Sequence, residues 1–175
     1  MRLRGEFQSM KNYFKIFDLP EQFEINLDLL EQKYHDFLQE YHPDKNFDKN
    51  DFEKLQFSMT INEGFKILNQ DLTRAIHLLQ LKNIDLDNDE NNPIKPDYST
   101  LSLILELQEK VAEINNLEMA KILKKQLEEK INQQIFKFGD LFKNGDYILA
   151  SQAIIFAKYL KKTWQDLKNK ERNLQ

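Results

Sequence analysis

Apolar residues recur along this chain at spacings of three and four, which is the period of amphipathic helices. Prolines at positions 20 and 43 end the first two helical patterns, because proline lacks the amide that continues a helix. A Lys-Asn-Gly signal at 143–145 closes a later one. The predicted helices cover approximately 12–18, 26–41, 51–69, 72–81, 99–114, 117–142 and 146–168.

The same spacing predicts which apolar side chains face a core. Leu55 and Met59 fall on the predicted inner face of the third helix, and Leu101 and Leu105 on that of the fifth. Ile148 is assigned to the inner face of the last helix. The predicted N-caps, which accept the free amides of a first helical turn, are Asn26, Asp146 and either Ser99 or Thr100.

An Asn- and Asp-rich stretch with two prolines interrupts the helical pattern between residues 83 and 97 and predicts an exposed linker. It divides the chain into predicted domains at 10–82 and 98–170. Short turns between the later helices indicate antiparallel neighbours. The predicted fold is all-α: a helical hairpin with short flanking helices, followed by a three-helix bundle.

Composition narrows the classes of function. Among 175 residues there are four glycines and no cysteine, which excludes disulfides, thiol catalysis and Cys-ligated metals. No phosphate-binding loop or His-Glu-x-x-His motif is present, and the three histidines are scattered. We therefore expect neither an enzyme nor a cofactor or metal. A pI near 5.5 argues against nucleic acid as partner, and no apolar run is long enough for a membrane span.

One tripeptide, His42-Pro43-Asp44, stands out because of its context. Tyr41 and Lys45 flank it, and an amphipathic helix lies on either side. With the stretches at 12–20 and 60–68, the region resembles a J-domain, the module by which co-chaperones stimulate the ATPase of Hsp70-type chaperones. Taken alone, without the flanking pattern, the tripeptide would favour an Asp-capped turn beside a solvated histidine.

The J-domain resemblance implies an Hsp70-binding site. Its residues here are His42, Pro43, Asp44, Lys45 and Lys33. The helix before the motif departs from the family pattern, because its exposed positions are mostly acidic rather than basic. We expect weak electrostatic steering to an acidic chaperone surface, or a dedicated chaperone with a compensating surface.

The whole chain resembles HscB, the co-chaperone of iron–sulfur cluster assembly. The resemblance rests on the J-domain, the acidic linker, the helical bundle, and the stretches 74–79 and 105–109 with Glu113. It implies that the bundle binds the cluster scaffold protein, with Ser102 lying where a larger apolar residue is usual. The implied scaffold-binding residues are Leu101, Leu105, Glu106, Glu109, Glu113 and Tyr159.

Other interpretations remain open from sequence. Leu101 and Leu105 also suit an ordinary bundle core, and the glutamates suit a solvated helix face. Trp164 is predicted to be core, and the pairs at 124–125 and 161–162 to be solvated lysines. A J-domain protein with a different client, or a helical adaptor without chaperone activity, are the competing functions. We expect a bacterial cytoplasmic protein in preference to one of the mitochondrial matrix.

Overall fold

The computed structural model describes residues 11–41, 51–86 and 94–174, without the side chains of residues 41 and 51–53. Within these ranges the chain forms helices and connections but no strand, so the predicted all-α fold is confirmed. No helix there is both long and apolar enough to cross a bilayer. The helices are α1 (Tyr13–Ile16), α2 (Leu27–Tyr41), α3 (Asp51–Leu68), α4 (Asp71–Leu81), α5 (Tyr98–Glu113), α6 (Leu117–Lys143) and α7 (Tyr147–Asn173).

The chain divides into two compact units, the first ending at Asn83 and the second beginning at Ile84. In the first unit α2 and α3 form a hairpin, and α1 and α4 pack against α3. The Tyr34 ring stacks on Phe65 with centroids 4.1 Å apart, and its hydroxyl donates to Asn62 Oδ1 at 2.7 Å. These contacts join the two long helices, which confirms the predicted hairpin with short flanking helices.

Two buried polar side chains of α4 tie the first unit together. Arg74 Nε donates to the Phe23 carbonyl at 2.8 Å, and the same guanidinium donates to the Leu68 carbonyl and the Asp71 carboxylate. His77 Nε2 accepts the backbone N–H of Tyr13 at 3.3 Å. Because burying such groups is costly unless they are hydrogen-bonded, these residues of the 74–79 stretch have a structural role.

The second unit is a three-helix bundle, as predicted. Helices α6 and α7 form a long antiparallel pair, and α5 packs mainly against α7. Gly145 takes a φ of +83° in the turn between α6 and α7, a conformation that favours glycine. Apolar side chains from all three helices form the core: Ile104, Leu107, Val111, Ile114, Ala120, Leu123, Leu127, Ile131, Leu160 and Leu167.

The cap of α5 differs from the prediction. Asp97 is the N-cap, and its carboxylate accepts the Thr100 N–H at 2.7 Å and the Ser99 hydroxyl at 2.9 Å. These hydrogen bonds, led by those of Thr100, lower the pKa of Asp97. Ser99 and Thr100 therefore lie inside the first turn and donate to the cap.

On α3 and α7, three residues predicted to face a core are exposed. Leu55 and Met59 lie on the side of α3 opposite to buried Ile61 and Leu68. Ile148 likewise lies opposite to the buried face of α7. Both helices carry apolar residues on more than one face, so spacing alone does not decide which face meets the neighbouring helices.

Candidate partner-binding surfaces

The predicted Hsp70-binding motif falls in the connection between α2 and α3. Helix α2 ends at Tyr41 and α3 begins at Asp51. His42, Pro43, Asp44 and Lys45 lie outside the described residues, so their assignment stays a prediction.

Lys33, the fifth predicted Hsp70-binding residue, lies within the described residues, and its side chain is hydrogen-bonded to Asp18 of the same unit. Its Nζ lies 3.0 Å from Asp18 Oδ2 and donates to the Asp18 carbonyl at 3.3 Å. The lysine side chain is one quarter exposed, whereas the Asp18 side chain is almost fully exposed. A chaperone carboxylate that approached Lys33 would therefore have to share its ammonium with Asp18.

The outward face of α2 is acidic, as the sequence indicated. Asp28, Glu31, Asp36 and Glu40 are all exposed. His35 Nε2 lies 3.8 Å from Glu31 Oε1 on the same face. This part of the first unit presents negative charge to any partner.

Helix α5 carries two apolar stripes, and only one of them is used in the bundle core. Ile104 and Leu107 are 4% and 3% exposed, whereas Leu101 and Leu105 are 40% and 60% exposed. The alternative placement of Leu101 and Leu105 in the core is therefore wrong. Both leucines are therefore accessible from solvent.

The three predicted glutamates continue the outer stripe. Glu106, Glu109 and Glu113 are all exposed. Lys110 Nζ donates to Glu106 Oε1 at 2.6 Å, and this hydrogen bond lowers the pKa of Glu106. Leu105, Glu109 and Glu113 are four residues apart and share one side of α5, so an apolar position is followed by two carboxylates.

Tyr159 of α7 and Leu101 of α5 lie in one groove of the second unit. The groove has a volume of about 870 Å³, and Leu101 and Tyr159 both line it. Tyr159 is 37% exposed. The structure thus brings these two predicted residues to one apolar surface, with Leu105 on the next turn of α5.

Sequence reasoning missed the rest of the groove. Leu86, Ile94 and Pro96 line it, although the linker was predicted to be solvent-exposed, and Leu86 is only 5% exposed. Lys158 and Lys162 form part of its α7 wall. The sequence shows only that these lysines are four residues apart and share one side of α7. This spacing is the same for a groove wall and for an ordinary solvated face.

Trp164 lies on another face of α7, where it is half-buried and packs against the bundle core. Its Nε1 donates to Glu128 Oε1 at 3.0 Å. The ammonium groups of Lys124, Lys161 and Lys168 lie 4.4–5.8 Å from its ring centroid. Lys124 also pairs with Glu171 at 3.2 Å, so this lysine is not simply solvated.

No cluster of three or more metal-ligating side chains occurs in the part of the chain that the structure describes. The described surfaces include an acidic face on α2, an apolar and acidic stripe on α5, and a groove beside Tyr159.

Comparison with known proteins assigns the family. A family model described as the HSCB C-terminal oligomerisation domain matches residues 96–168. The co-chaperone protein HscB homolog of Neisseria meningitidis is 30% identical over 159 residues, which cover 87% of this chain and 95% of the relative. The chain belongs to the HscB co-chaperone family. The HscB homolog of Acinetobacter baylyi is 29% identical over 163 residues, covering 93% of the chain and 92% of that relative.

Solved HscB structures share the fold. Chaperone HscB from Vibrio cholerae superposes with a TM-score of 0.79 at 21% identity, covering 94% of this chain and all of the other. The human co-chaperone protein HscB superposes with a TM-score of 0.82 at 21% identity, covering 93% and 83%. The resemblance to HscB predicted from sequence is confirmed.

Proposed function

We propose that this HscB-family chain binds an iron–sulfur cluster scaffold protein, delivers it to a specialised Hsp70 and stimulates the ATPase of that Hsp70. One observation supports the scaffold part: Leu101 and Leu105 are exposed although α5 has a complete second stripe in the core, and Leu101 lines one groove with Tyr159. Membership of a co-chaperone family supports the chaperone part. ATP is hydrolysed by the Hsp70, and this chain contributes contacts only.

We assign the steps to different parts of the chain. Residues 10–82 form the domain that meets the Hsp70, with the His42-Pro43-Asp44 motif as its contact and Lys33 in support. Residues 83–97 link it to residues 98–170, which hold the scaffold. Because the curated relatives named above are bacterial, we place this activity in a bacterial cytoplasm.

In this proposal, burial of apolar side chains supplies the free energy of scaffold binding, and the glutamates select a partner of complementary charge. Covering Leu101, Leu105 and Tyr159 removes apolar surface from water, worth about 25 cal/mol per Å² before the cost of association is subtracted. Glu109 and Glu113 then favour a partner with basic residues at that end of the surface, and raise its rate of association.

Calorimetric titration of the full chain with a purified bacterial iron–sulfur scaffold protein tests the proposal. We expect saturable binding that weakens when Glu109→Lys and Glu113→Lys are combined. The matched control combines Glu129→Lys with Asp140→Lys, which gives the same change in net charge on exposed positions of α6. Binding should be unchanged in this control.

Absence of binding by a chain whose helicity is confirmed by circular dichroism would reject the scaffold as client. Stimulation of an Hsp70 ATPase by the same chain would then identify a J-domain co-chaperone for another client. A dimer that stimulates no Hsp70 would favour a helical adaptor instead.

A further inference from the structure

The groove beside Tyr159 is bordered by positive charge. Its floor is apolar and includes Leu86, Leu101 and Ile155, with Ile155 only 7% exposed. Among the described residues that line it, every charged side chain is a lysine: Lys95, Lys158 and Lys162. Lys158 and Lys162 are one turn apart on α7, and Lys95 comes from the segment that precedes α5.

We propose that this groove receives an acidic segment of the bound scaffold, with an apolar side chain on the floor and carboxylates at the three lysines. The inference deepens the proposed function and rests on it, since Leu101 and Tyr159 belong to both surfaces. The apolar floor supplies burial, and the lysines select the sign of the flanking charge.

Opposite charges therefore lie at the two ends of one apolar surface. Glu109 and Glu113 extend it along α5, whereas Lys158 and Lys162 border it on α7. A partner bound in one orientation meets both sets with complementary charges, and a partner bound in the reverse orientation meets like charges. Like-charge contacts at an interface are costly, so the arrangement fixes the orientation of the scaffold.

A protein segment fits the groove better than a fatty acid. One carboxylate satisfies one ammonium group, whereas three lysines from two separate segments border this groove. Lysines four residues apart on a helix lie close enough for neighbouring carboxylates of an extended peptide to meet both. The continuity with the outer stripe of α5 also requires an occupant large enough to cover both.

The test is titration of the full chain with the scaffold protein as probe at low and moderate salt. Combining Lys158→Glu with Lys162→Glu should weaken binding by about tenfold or more, because like charges then oppose each other in the contact. The control combines Lys121→Glu with Lys125→Glu, which has the same spacing and the same change in net charge on exposed positions of α6. It should bind nearly as tightly as wild type.

A second arm identifies the partner's carboxylates. Acidic residues of the scaffold are changed to lysine one at a time, and at least one such change should restore affinity for the chain with Lys158→Glu and Lys162→Glu. Rescue by a pair of reversed charges requires that the two sites meet, so a merely unfolded variant cannot reproduce it.

Several results would overturn the inference. If wild type binds and the Glu109 and Glu113 reversals weaken it, while the Lys158 and Lys162 reversals do not, the proposed function stands and the groove assignment is wrong. Equal losses in the α6 control would show a general charge effect. Lysine reversals that abolish palmitate binding or self-association while sparing the scaffold would assign the groove to those occupants. No scaffold binding by wild type rejects both proposals.

Discussion

Lys33 of α2 holds Asp18, the residue that reverses the chain after α1. Its Nζ lies 3.0 Å from Asp18 Oδ2 and 3.3 Å from the Asp18 carbonyl oxygen. Asp18 has a φ of +47°, in the left-handed region that residues other than glycine seldom occupy. The same lysine is thus a structural clamp and a candidate chaperone contact, and the two roles can be separated by mutation.

We predict that Lys33→Met has a smaller effect on the chaperone than Asp44→Asn. The Lys33–Asp18 pair is largely exposed on the aspartate side, so its loss should cost about 0–1 kcal/mol of stability. Stimulation of the Hsp70 ATPase should require a few-fold more co-chaperone after Lys33→Met. Asp44→Asn should abolish stimulation, because the family contact is lost, while helicity and scaffold affinity remain.

Lys15→Met is the control for removing an exposed lysine from the same unit. It should change neither the stability of the chain nor its stimulation of the Hsp70 ATPase. If Asp44→Asn stimulates the ATPase normally, the J-domain motif is wrongly assigned. A complete loss of stimulation in a well-folded Lys33→Met chain would show that Lys33 contacts the chaperone directly and is more than a clamp.

Truncating Leu107 of α5 should lower stability, whereas truncating Leu105 should lower affinity for the scaffold. Leu107→Ala opens a cavity in the bundle core and should cost about 2–5 kcal/mol of stability, because Leu107 is 3% exposed. Leu105→Ala alters a side chain that is 60% exposed and should change stability by less than about 0.5 kcal/mol. Scaffold affinity should fall for Leu105→Ala.

Urea unfolding followed by fluorescence of Trp164, the one tryptophan in the chain, measures the stability of the second unit. Calorimetric titration measures affinity. A Leu105→Ala chain with wild-type affinity for the scaffold would remove this residue from the binding surface, whereas a large loss of stability would place it in the core.

His77 should make the first unit sensitive to mild acid. Its burial lowers the pKa of the imidazole below the usual 6.5, and this effect exceeds the opposing ones of Gln80 and Glu21. The unfolded chain therefore binds the proton at a higher pH than the folded chain. The stability that depends on neutral His77 is complete above about pH 6.5 and is lost as the pH falls below that value.

Amide hydrogen exchange of α3 between pH 7.5 and 5 measures this effect in the first unit. His77→Gln keeps an acceptor for the Tyr13 amide but does not titrate, so the free energy of unfolding of this variant should fall less steeply with acid. His35→Gln removes an exposed histidine from the same unit and is the variant for comparison. Identical slopes for His77→Gln and wild type would contradict the prediction.

Gly64 should not tolerate even a methyl group. A Cβ at this position would lie 2.6 Å from Tyr13 Cδ1 and 2.9 Å from Phe17 Cε2. Alanine in a helix interior normally stabilises by about 1 kcal/mol relative to glycine, but here α1 would have to move off α3. We predict that Gly64→Ala lowers the midpoint of thermal unfolding of the first unit.

Combining Gly64→Ala with Tyr13→Ala separates the two effects, because the smaller side chain makes room for the new methyl group. The added cost of Gly64→Ala should be smaller in the Tyr13→Ala background than in wild type. A Gly64→Ala chain more stable than wild type would show that α1 shifts freely.

Much of the fold could be read from the spacing of apolar residues. Helix positions, the α6–α7 pair and the core residues Leu123, Leu127, Phe138 and Leu160 follow from a period of 3.6 and from turn residues such as Gly145. These features depend on neighbours within a few positions of the chain. The His42-Pro43-Asp44 motif and the HscB resemblance were likewise available from sequence alone.

The helices, their order and the family follow from the amino-acid sequence, because local spacing, caps and motif identity are encoded in short stretches. Tertiary structure alone decided that Leu101 and Leu105 face water while Ile104 and Leu107 fill the core, since α5 is apolar on two sides and only packing against α7 selects one. It also brought Leu86, Ile94 and Pro96 onto the same groove as Tyr159. Such contacts join residues far apart in the chain, and no local pattern specifies them.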